Sequence, residues 1–197
     1  TLDATGNNNI TFGSTIESDG VAERALSIDA GTATVTFDGI VGGTEQLGAI
    51  IITGALDLDA AIGTSDYGAA SLTVSAGSDL GANVHTNGIQ TYTGAAVISA
   101  GITLDATGNN NITFGSTIEA DGSTERALSI DAGTATVQFG GIVGGTEQLG
   151  AIVITGALDL DAAIGTTDYG AASLTVSTTS DLGANVHTNG IQTYTGA

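Results

Sequence analysis

The sequence predicts an all-β protein, a right-handed parallel β-helix (β-solenoid) with about four coils per 102-residue repeat. Three observations predict it: the chain repeats itself at an offset of 102 residues, each unit contains shorter alternating repeats spaced 22 to 30 residues apart, and proline is absent. Tandem immunoglobulin-like β-sandwiches are the alternative, since such domains have about 100 residues each.

The long repeat divides the 197 residues into two units. Residues 1–102 are the first repeat unit of a continuous solenoid, and residues 103–197 are a second unit that is incomplete by seven residues. Residues 1–95 align on residues 103–197 without a gap and differ at nine positions. The segment without a counterpart is the connector 96–102. This arithmetic indicates a window from a longer array or a recent duplication.

Two series of alternating stretches provide the strands of the predicted coils. The first series starts at Leu26, Ile50, Leu72 and Ile102, and the second at Ile10, Val35, Leu56 and Gln90. Each stretch places apolar residues on one side and Thr, Ser or Asp on the other. A coil can bury its apolar side only against the next coil, about 4.8 Å away, so two units predict roughly eight coils over about 38 Å. The predicted core residues are Ile10, Phe12, Val35, Phe37, Ile50, Ile52, Leu56, Leu58, Leu72, Val74, Ile102 and Leu104.

The absence of proline favours the solenoid over the sandwiches. Proline removes a backbone donor from a central strand, and every strand inside a solenoid is central. Sandwich domains usually have proline in their linkers and a large aromatic residue in each core. Each unit here has only two Phe and two Tyr, with no Trp.

The charge of the chain excludes several classes of partner. Two arginines and 21 acidic residues give a net charge of −19 at pH 7. A nucleic-acid-binding protein needs a basic surface to meet phosphates, so we expect no nucleic-acid partner. The same charge repels an anionic membrane surface, and no apolar run approaches the ~20 residues that span a bilayer. We therefore expect no membrane insertion.

Three stretches of each unit resemble the repeats of large bacterial secreted exoproteins of the filamentous-haemagglutinin and autotransporter-adhesin type. In the first unit they are residues 9–14 (NITFGS), 33–39 (ATVTFDG) and 87–94 (NGIQTYTG). The resemblance extends over essentially the whole chain. It implies a secreted or surface-exposed bacterial rod that serves adhesion or extracellular structure, and it implies no catalytic residues.

Three pairs of aspartates are predicted to lie on consecutive coils: Asp3 with Asp29, Asp105 with Asp131, and Asp38 with Asp59. Outward carboxylates about 5 Å apart repel each other or recruit a cation, and calcium prefers such oxygen ligands. These six residues are therefore the candidates for weak calcium sites. A solvated acidic face is the other interpretation, which we prefer because Asp38 is replaced by Gly140 in the second unit.

The remaining polar residues give no catalytic pattern. His85 and His187 recur 102 residues apart and are interpreted as turn residues, and Arg24 is expected to pair with Asp19 or Glu23. β-Helical enzymes that act on polysaccharides need clustered carboxylates or basic residues for an acidic sugar, and the chain has no lysine. We expect the protein not to be an enzyme and to have no cofactor, with calcium at the aspartate pairs as the one candidate ion.

The function that the sequence predicts is that of an extracellular structural or adhesive rod. It would assemble head-to-tail into a filament or form the shaft of a larger surface protein, because uncapped strand edges pair with further strands. Its predicted partners are copies of itself and a host or matrix surface ligand. A calcium-dependent surface-layer or biofilm matrix protein is the alternative. A polysaccharide-active enzyme and an ice-binding solenoid are less favoured.

Overall fold

The predicted fold class is confirmed by a computed structural model, which describes residues 1–4, 6–122 and 124–196. Within these ranges the chain forms 17 strands and no helix, and the strands pair in parallel as a β-solenoid. The alternative of tandem sandwiches is wrong, because their hairpins would pair antiparallel strands. The strands are β1 (Leu2–Asp3), β2 (Ile10–Phe12), β3 (Leu26–Phe37), β4 (Leu47–Leu58), β5 (Ala69–Val74), β6 (Ser78–Leu80), β7 (Val84–Thr86), β8 (Gln90–Tyr92), β9 (Ala96–Ile98), β10 (Ile102–Ala106), β11 (Ile112–Phe114), β12 (Ile118–Ala120), β13 (Leu128–Phe139), β14 (Leu149–Leu160), β15 (Ala171–Val176), β16 (Ser180–Leu182) and β17 (Gln192–Tyr194).

Each turn of the solenoid has three faces, which we number in the order that the chain follows. On face 1 the register stacks Leu2, Ile28, Ile52, Val74, Tyr92, Phe114, Phe139, Leu160 and Leu182. On face 2 it stacks Ile10, Val35, Leu56, Ser78, Ala96, Ile118, Val143, Ile164 and Val186. On face 3 it stacks Ile16, Val41, Ile62, Val84, Leu104, Ile130, Ile154, Val176 and Tyr194.

One repeat unit is not a whole number of turns. Starting at Leu2 on face 1, four complete turns lead to Tyr92, and two further faces lead to Leu104 on face 3. Because Leu104 is the counterpart of Leu2, a unit makes four and two-thirds turns. The prediction of about four coils per unit is confirmed as an approximate number, and the structure adds the further two-thirds of a turn. Equivalent residues of the two units consequently lie on different faces of the rod.

The predicted order of the strand series is partly wrong. Leu26, Ile50 and Leu72 stack as expected, and Ile102 pairs with Leu128. However, Leu72 is followed by Gln90 rather than by Ile102, so the last turn of the unit has only 18 residues. In the same way, Leu56 is followed by Ser78 rather than by Gln90. The last turn was missed because the inward positions of its short strands include Ser78, Thr86 and Gln90, which an apolar pattern does not detect.

The core is a continuous column of inward side chains. All the predicted core residues are buried except Ile10 and Phe12, which are half-buried because they belong to the first turn and are covered on one side only. Aromatic rings contact each other inside the rod: Tyr92 and Phe114 are stacked with ring centroids 4.9 Å apart, and Phe114 and Phe139 meet edge to face with centroids 5.9 Å apart. These contacts hold successive turns in register.

A glycine forms the corner in the middle of β4, between faces 1 and 2, and in the middle of β14, between faces 3 and 1. Gly54 in β4 has a φ of 126°, and its counterpart Gly156 in β14 has a φ of 138°. A side chain is strongly disfavoured at such φ values. A Cβ at position 54 would also lie 2.7 Å from the carbonyl oxygen of Ala33 on the previous turn. The corner therefore requires glycine in both units.

Candidate functional site

The two units meet along pairs of strands on all three faces, and we call this contact the unit junction. The junction consists of β7 paired with β10, β8 paired with β11, and β9 paired with β12. Its registers are those of an ordinary turn, with Val84 beside Leu104 and Ala96 beside Ile118. Units are thus joined by the same parallel pairing that joins turns within a unit.

The interior of the junction contains a polar network that the sequence did not predict. Gln90 is fully buried, and its Nε2 donates to the backbone oxygen of Asp105 on the next turn at 2.8 Å and to the Thr86 hydroxyl at 3.2 Å. The Tyr92 hydroxyl donates to Oε1 of Gln90 at 3.0 Å. Burial raises the pKa of Tyr92 far above its ordinary value. The network therefore stays neutral and links the last turn of one unit to the first turn of the next.

The final turn of the second unit exposes counterparts of residues that are buried in the first unit. Leu80 is fully buried, whereas its counterpart Leu182 is 46% exposed. Tyr92 is fully buried beneath Phe114, whereas Tyr194 is only half-buried. Gln192 repeats the bonds of Gln90 with its counterparts Thr188 and Tyr194, and it is exposed where Gln90 is buried. This exposed turn, residues 180–196, is the candidate assembly site, and we call it the terminal turn.

The register places the predicted aspartate pairs of the first series side by side. Asp3 lies beside Asp29, and Asp105 lies beside Asp131. The carboxylate of Asp29 accepts a hydrogen bond from the backbone N–H of Gly31 at 2.9 Å. Asp131 makes the same bond to Gly133, also at 2.9 Å. Asp29 and Asp131 therefore fix the local bend of their strands, a role that needs no metal.

The third predicted pair belongs to a larger acidic group on face 2. Asp38 and Asp59 directly follow Phe37 and Leu58, which are paired on neighbouring turns. Asp57 lies on the same turn as Asp59, and it is paired with Asp79 on the next turn. Partial burial raises the pKa of Asp57, and the carboxylates of Asp59, Asp79 and Asp38 raise it further. Sequence analysis missed the contribution of Asp57 and Asp79 because it did not identify the strand that carries Asp79.

The second unit reduces the repulsion in this acidic group. Its residues at the positions of Thr36 and Asp38 are Gln138 and Gly140. The Gln138 Nε2 donates to the Asp161 carboxylate at 2.8 Å. Two of the nine differences between the units thus act on this group: Gly140 removes the carboxylate of Asp38, and Gln138 gives the Asp161 carboxylate a neutral hydrogen-bond donor. Within the described ranges, no three Asp, Glu, His or Cys side chains are placed to share a metal ion, and calcium binding stays a prediction.

The interpretation of His85 as a turn residue is wrong. His85 lies in β7, and its Nδ1 is 3.1 Å from the Asp105 carboxylate of the next turn. Partial burial raises the pKa of Asp105 most, His85 opposes this effect, and the neighbouring Asp131 adds to it. The His85–Asp105 contact crosses the unit junction. It was missed because a single histidine in a polar stretch carries no periodic signal.

Both arginines form ion pairs with nearby aspartates. The Arg24 Nη2 lies 2.9 Å from the Asp19 carboxylate, and the corresponding distance from Arg126 to Asp121 is 2.7 Å. The hydrogen bond from Arg24 is the largest cause that lowers the pKa of Asp19. The expected pairing of Arg24 is thus confirmed for Asp19. These exposed pairs leave the surface field strongly negative.

Open grooves occur at equivalent places in the two units. One, of about 330 Å³, is lined by Glu23, Glu45 and Tyr67, and another, of about 240 Å³, is lined by their counterparts Glu125, Glu147 and Tyr169. A second pair of equivalent grooves lies beside Asp57 and Asp159. These grooves therefore belong to the repeat rather than to one unique site.

The comparisons identify no relative of this chain. No protein-family model, no curated protein and no solved structure matches it. The described residues contain no helix that is long and apolar enough to cross a membrane.

Proposed function

We propose that the chain is part of the shaft of an extracellular bacterial structural or adhesive protein. The shaft would extend by adding units, either along one polypeptide or between copies that stack head-to-tail. The terminal turn carries this proposal, because it exposes counterparts of residues that the next turn buries in the first unit: Tyr92 lies under Phe114 of the second unit, and Leu80 lies under the connector. The resemblance of the repeats to those of secreted exoproteins supports the same function.

The N-terminal turn offers a complementary surface. In the unit junction, Leu104 covers Val84 and Phe114 covers Tyr92. The counterparts of Leu104 and Phe114 are Leu2 and Phe12, which lie on the first turn and are incompletely buried. A second copy stacked in the same register would therefore place Leu2 on Val186 and Phe12 on Tyr194.

The connector 96–102 distinguishes the two ways of extension. Just before the unit junction, Ala96 and Ile98 of the connector cover Ser78 and Leu80 on face 2. A polypeptide that continues through a connector would cover Ser180 and Leu182 in the same way. A second copy of the 197-residue chain would begin after the connector and would cover Val186 on face 2 and Tyr194 on face 3, leaving Ser180 and Leu182 on face 1 uncovered. Stacking of separate copies should consequently be weaker than the junction within a chain.

Electron microscopy of the purified chain tests the stacking of copies. Nine turns at about 4.8 Å give particles about 43 Å long, and stacking should yield unbranched rods whose lengths are multiples of this value. Tyr194→Glu should shorten the rods, because it puts a charge where Phe12 of the next copy would pack. Tyr67→Glu adds the same charge on the side of the rod, where Tyr67 is exposed, and should leave the lengths unchanged.

The outcome separates the two forms of the proposal. Rods that shorten only with Tyr194→Glu support stacking between copies. Single 43 Å particles at every concentration refute stacking and leave only the shaft within a longer chain. Globular particles without a long axis would refute the structural rod itself.

A further inference from the structure

Each unit has one extended surface without any charged residue, which we call the neutral face. The one that begins in the first unit comprises residues 47–53, 69–75 and 89–93 of that unit and residues 111–115 of the second unit, on face 1 of four successive turns. The one in the second unit comprises residues 149–155, 171–177 and 191–195 on face 3. Every one of these residues lies in the described part of the chain, whose net charge of −19 is carried elsewhere.

The outward side chains of the neutral face stand in rows along the rod. One row contains Ile51, Thr73, Thr91 and Thr113, which are direct neighbours in the parallel register. Ile51 and Ile89 are each 47% exposed. Within the described residues, the hydroxyls of Thr73, Thr91 and Thr113 make no hydrogen bond. The surface thus combines exposed apolar atoms with hydroxyls that can donate and accept.

We propose that the neutral face is a side-by-side contact between copies of this chain. Two copies of the same large negative charge can approach closely only where neither carries charge. Both arginines are already paired with aspartates, so no basic patch is available to attract an acidic surface. The neutral face is complementary to itself, because threonine hydroxyls pair with each other and Ile51 can pack against an equivalent isoleucine or valine.

A single contact of this kind is small. Four turns of about 4.8 Å and four steps of about 3.3 Å along the strand give roughly 19 by 13 Å, or about 250 Å² per copy. Stable interfaces bury about 800 Å² per partner, so one contact alone is weak and reversible. Each chain has two neutral faces that point in different directions, and several contacts together can hold an assembly that one contact cannot.

The ionic-strength dependence of this association has a defined sign. The acidic residues around the neutral face repel between copies, and salt screens this repulsion over a Debye length of about 8 Å at physiological ionic strength. Sodium chloride should therefore strengthen side-by-side association. Association through charge complementarity would instead weaken with salt. The proposal does not depend on head-to-tail stacking.

Sedimentation velocity at increasing protein and salt concentrations tests the proposal. The wild-type chain should grow beyond the dimer as salt is raised. The pair Thr73→Glu and Thr91→Glu should block the first neutral face, and Thr175→Glu with Thr193→Glu should block the second. Either pair should stop growth at the dimer, and all four changes should weaken association at least about tenfold.

Control variants separate this contact from other causes. Ser14→Glu with Ser65→Glu adds the same two charges at exposed positions outside the neutral faces and should behave as the wild type does. Leu2→Glu puts a charge where Val186 of the preceding copy would pack, lies outside both neutral faces, and should leave the salt-dependent association in place. Far-UV circular dichroism and melting curves establish that every variant is folded.

Three results would overturn the proposal. Salt could leave the wild-type mass unchanged, the control pair could weaken association as much as the neutral-face pairs do, or Leu2→Glu could abolish association by itself. A chain that stays monomeric but shapes growing ice crystals, and loses this effect with the neutral-face changes, would show that the face binds ice instead.

Discussion

Replacing Phe114 by alanine should destabilise the protein much more than the same change at Phe12. Phe114 and Phe12 are counterparts in the repeat, so their local sequences are identical. Phe114 is fully buried between Tyr92 and Phe139, whereas Phe12 is half-buried on the first turn beside Phe37. The pair of variants therefore isolates the effect of position in the solenoid.

The structure gives the expected magnitudes. A buried Phe→Ala change costs about 3–5 kcal/mol, and each aromatic contact adds about 0.5–1.5 kcal/mol beyond the area buried. Phe114 loses two aromatic neighbours, so we expect the free energy of unfolding to fall by about 5 kcal/mol. Phe12 is covered on one side and has one aromatic neighbour, so we expect about 2 kcal/mol.

Urea denaturation followed by far-UV circular dichroism measures both changes. The samples must be dilute, because head-to-tail stacking would cover Phe12 and raise its effect. In a solenoid each turn is stabilised mainly by its neighbours, so Phe12→Ala should loosen only the first turn. Phe114→Ala should weaken the middle of the rod and can split unfolding into two transitions. Equal destabilisation by the two variants in dilute solution would refute the stacked arrangement of turns.

Three further outcomes follow from the junction and the acidic surface. Gln90→Leu should lower the free energy of unfolding by about 1–3 kcal/mol, because it leaves the buried Tyr92 hydroxyl without its hydrogen-bond acceptor. Gln192→Leu should lower it several times less, because Gln192 is exposed. The folded state raises the pKa of Asp57 and Asp105, so it binds protons more readily than the unfolded chain does. The melting temperature should accordingly increase as pH falls from 7 towards about 4, and Asp57→Asn should reduce this increase; a flat profile would contradict the sign. Added calcium should promote bundling of the rods by screening their acidic sides. If neither calcium nor a chelator changes the turbidity, this effect is excluded.

The sequence was sufficient to predict the parts of the fold that depend on apolar alternation. Val35, Ile50 and Leu72 lie in the core as expected, because a period of two places alternate residues on the inward side of a strand. The same register placed Asp105 beside Asp131. These predictions succeeded because each depends on side-chain direction within one strand and on a constant step between long strands.

The parts that could not be predicted depend on inward polar residues and on short turns. Gln90 and Thr86 point inward, where they satisfy each other and the Asp105 backbone, and a hydropathy pattern assigns such residues to the surface. Strands such as β6 and β7 have three residues each, too few to define a period. The sequence therefore predicted two strand series where the structure has three faces.

The fractional number of turns determines how a longer array would present its surface. Since a unit makes four and two-thirds turns, each unit is shifted by one face, and three units are needed to return to the first face: 3 × 102 = 306 residues and fourteen turns. The neutral faces of successive units then point in three directions rather than along one side. Rods that associate through them would recruit neighbours all around their axis and form a three-dimensional bundle. A flat two-dimensional layer would require neutral faces on one side of the rod, and the register of these units excludes that arrangement.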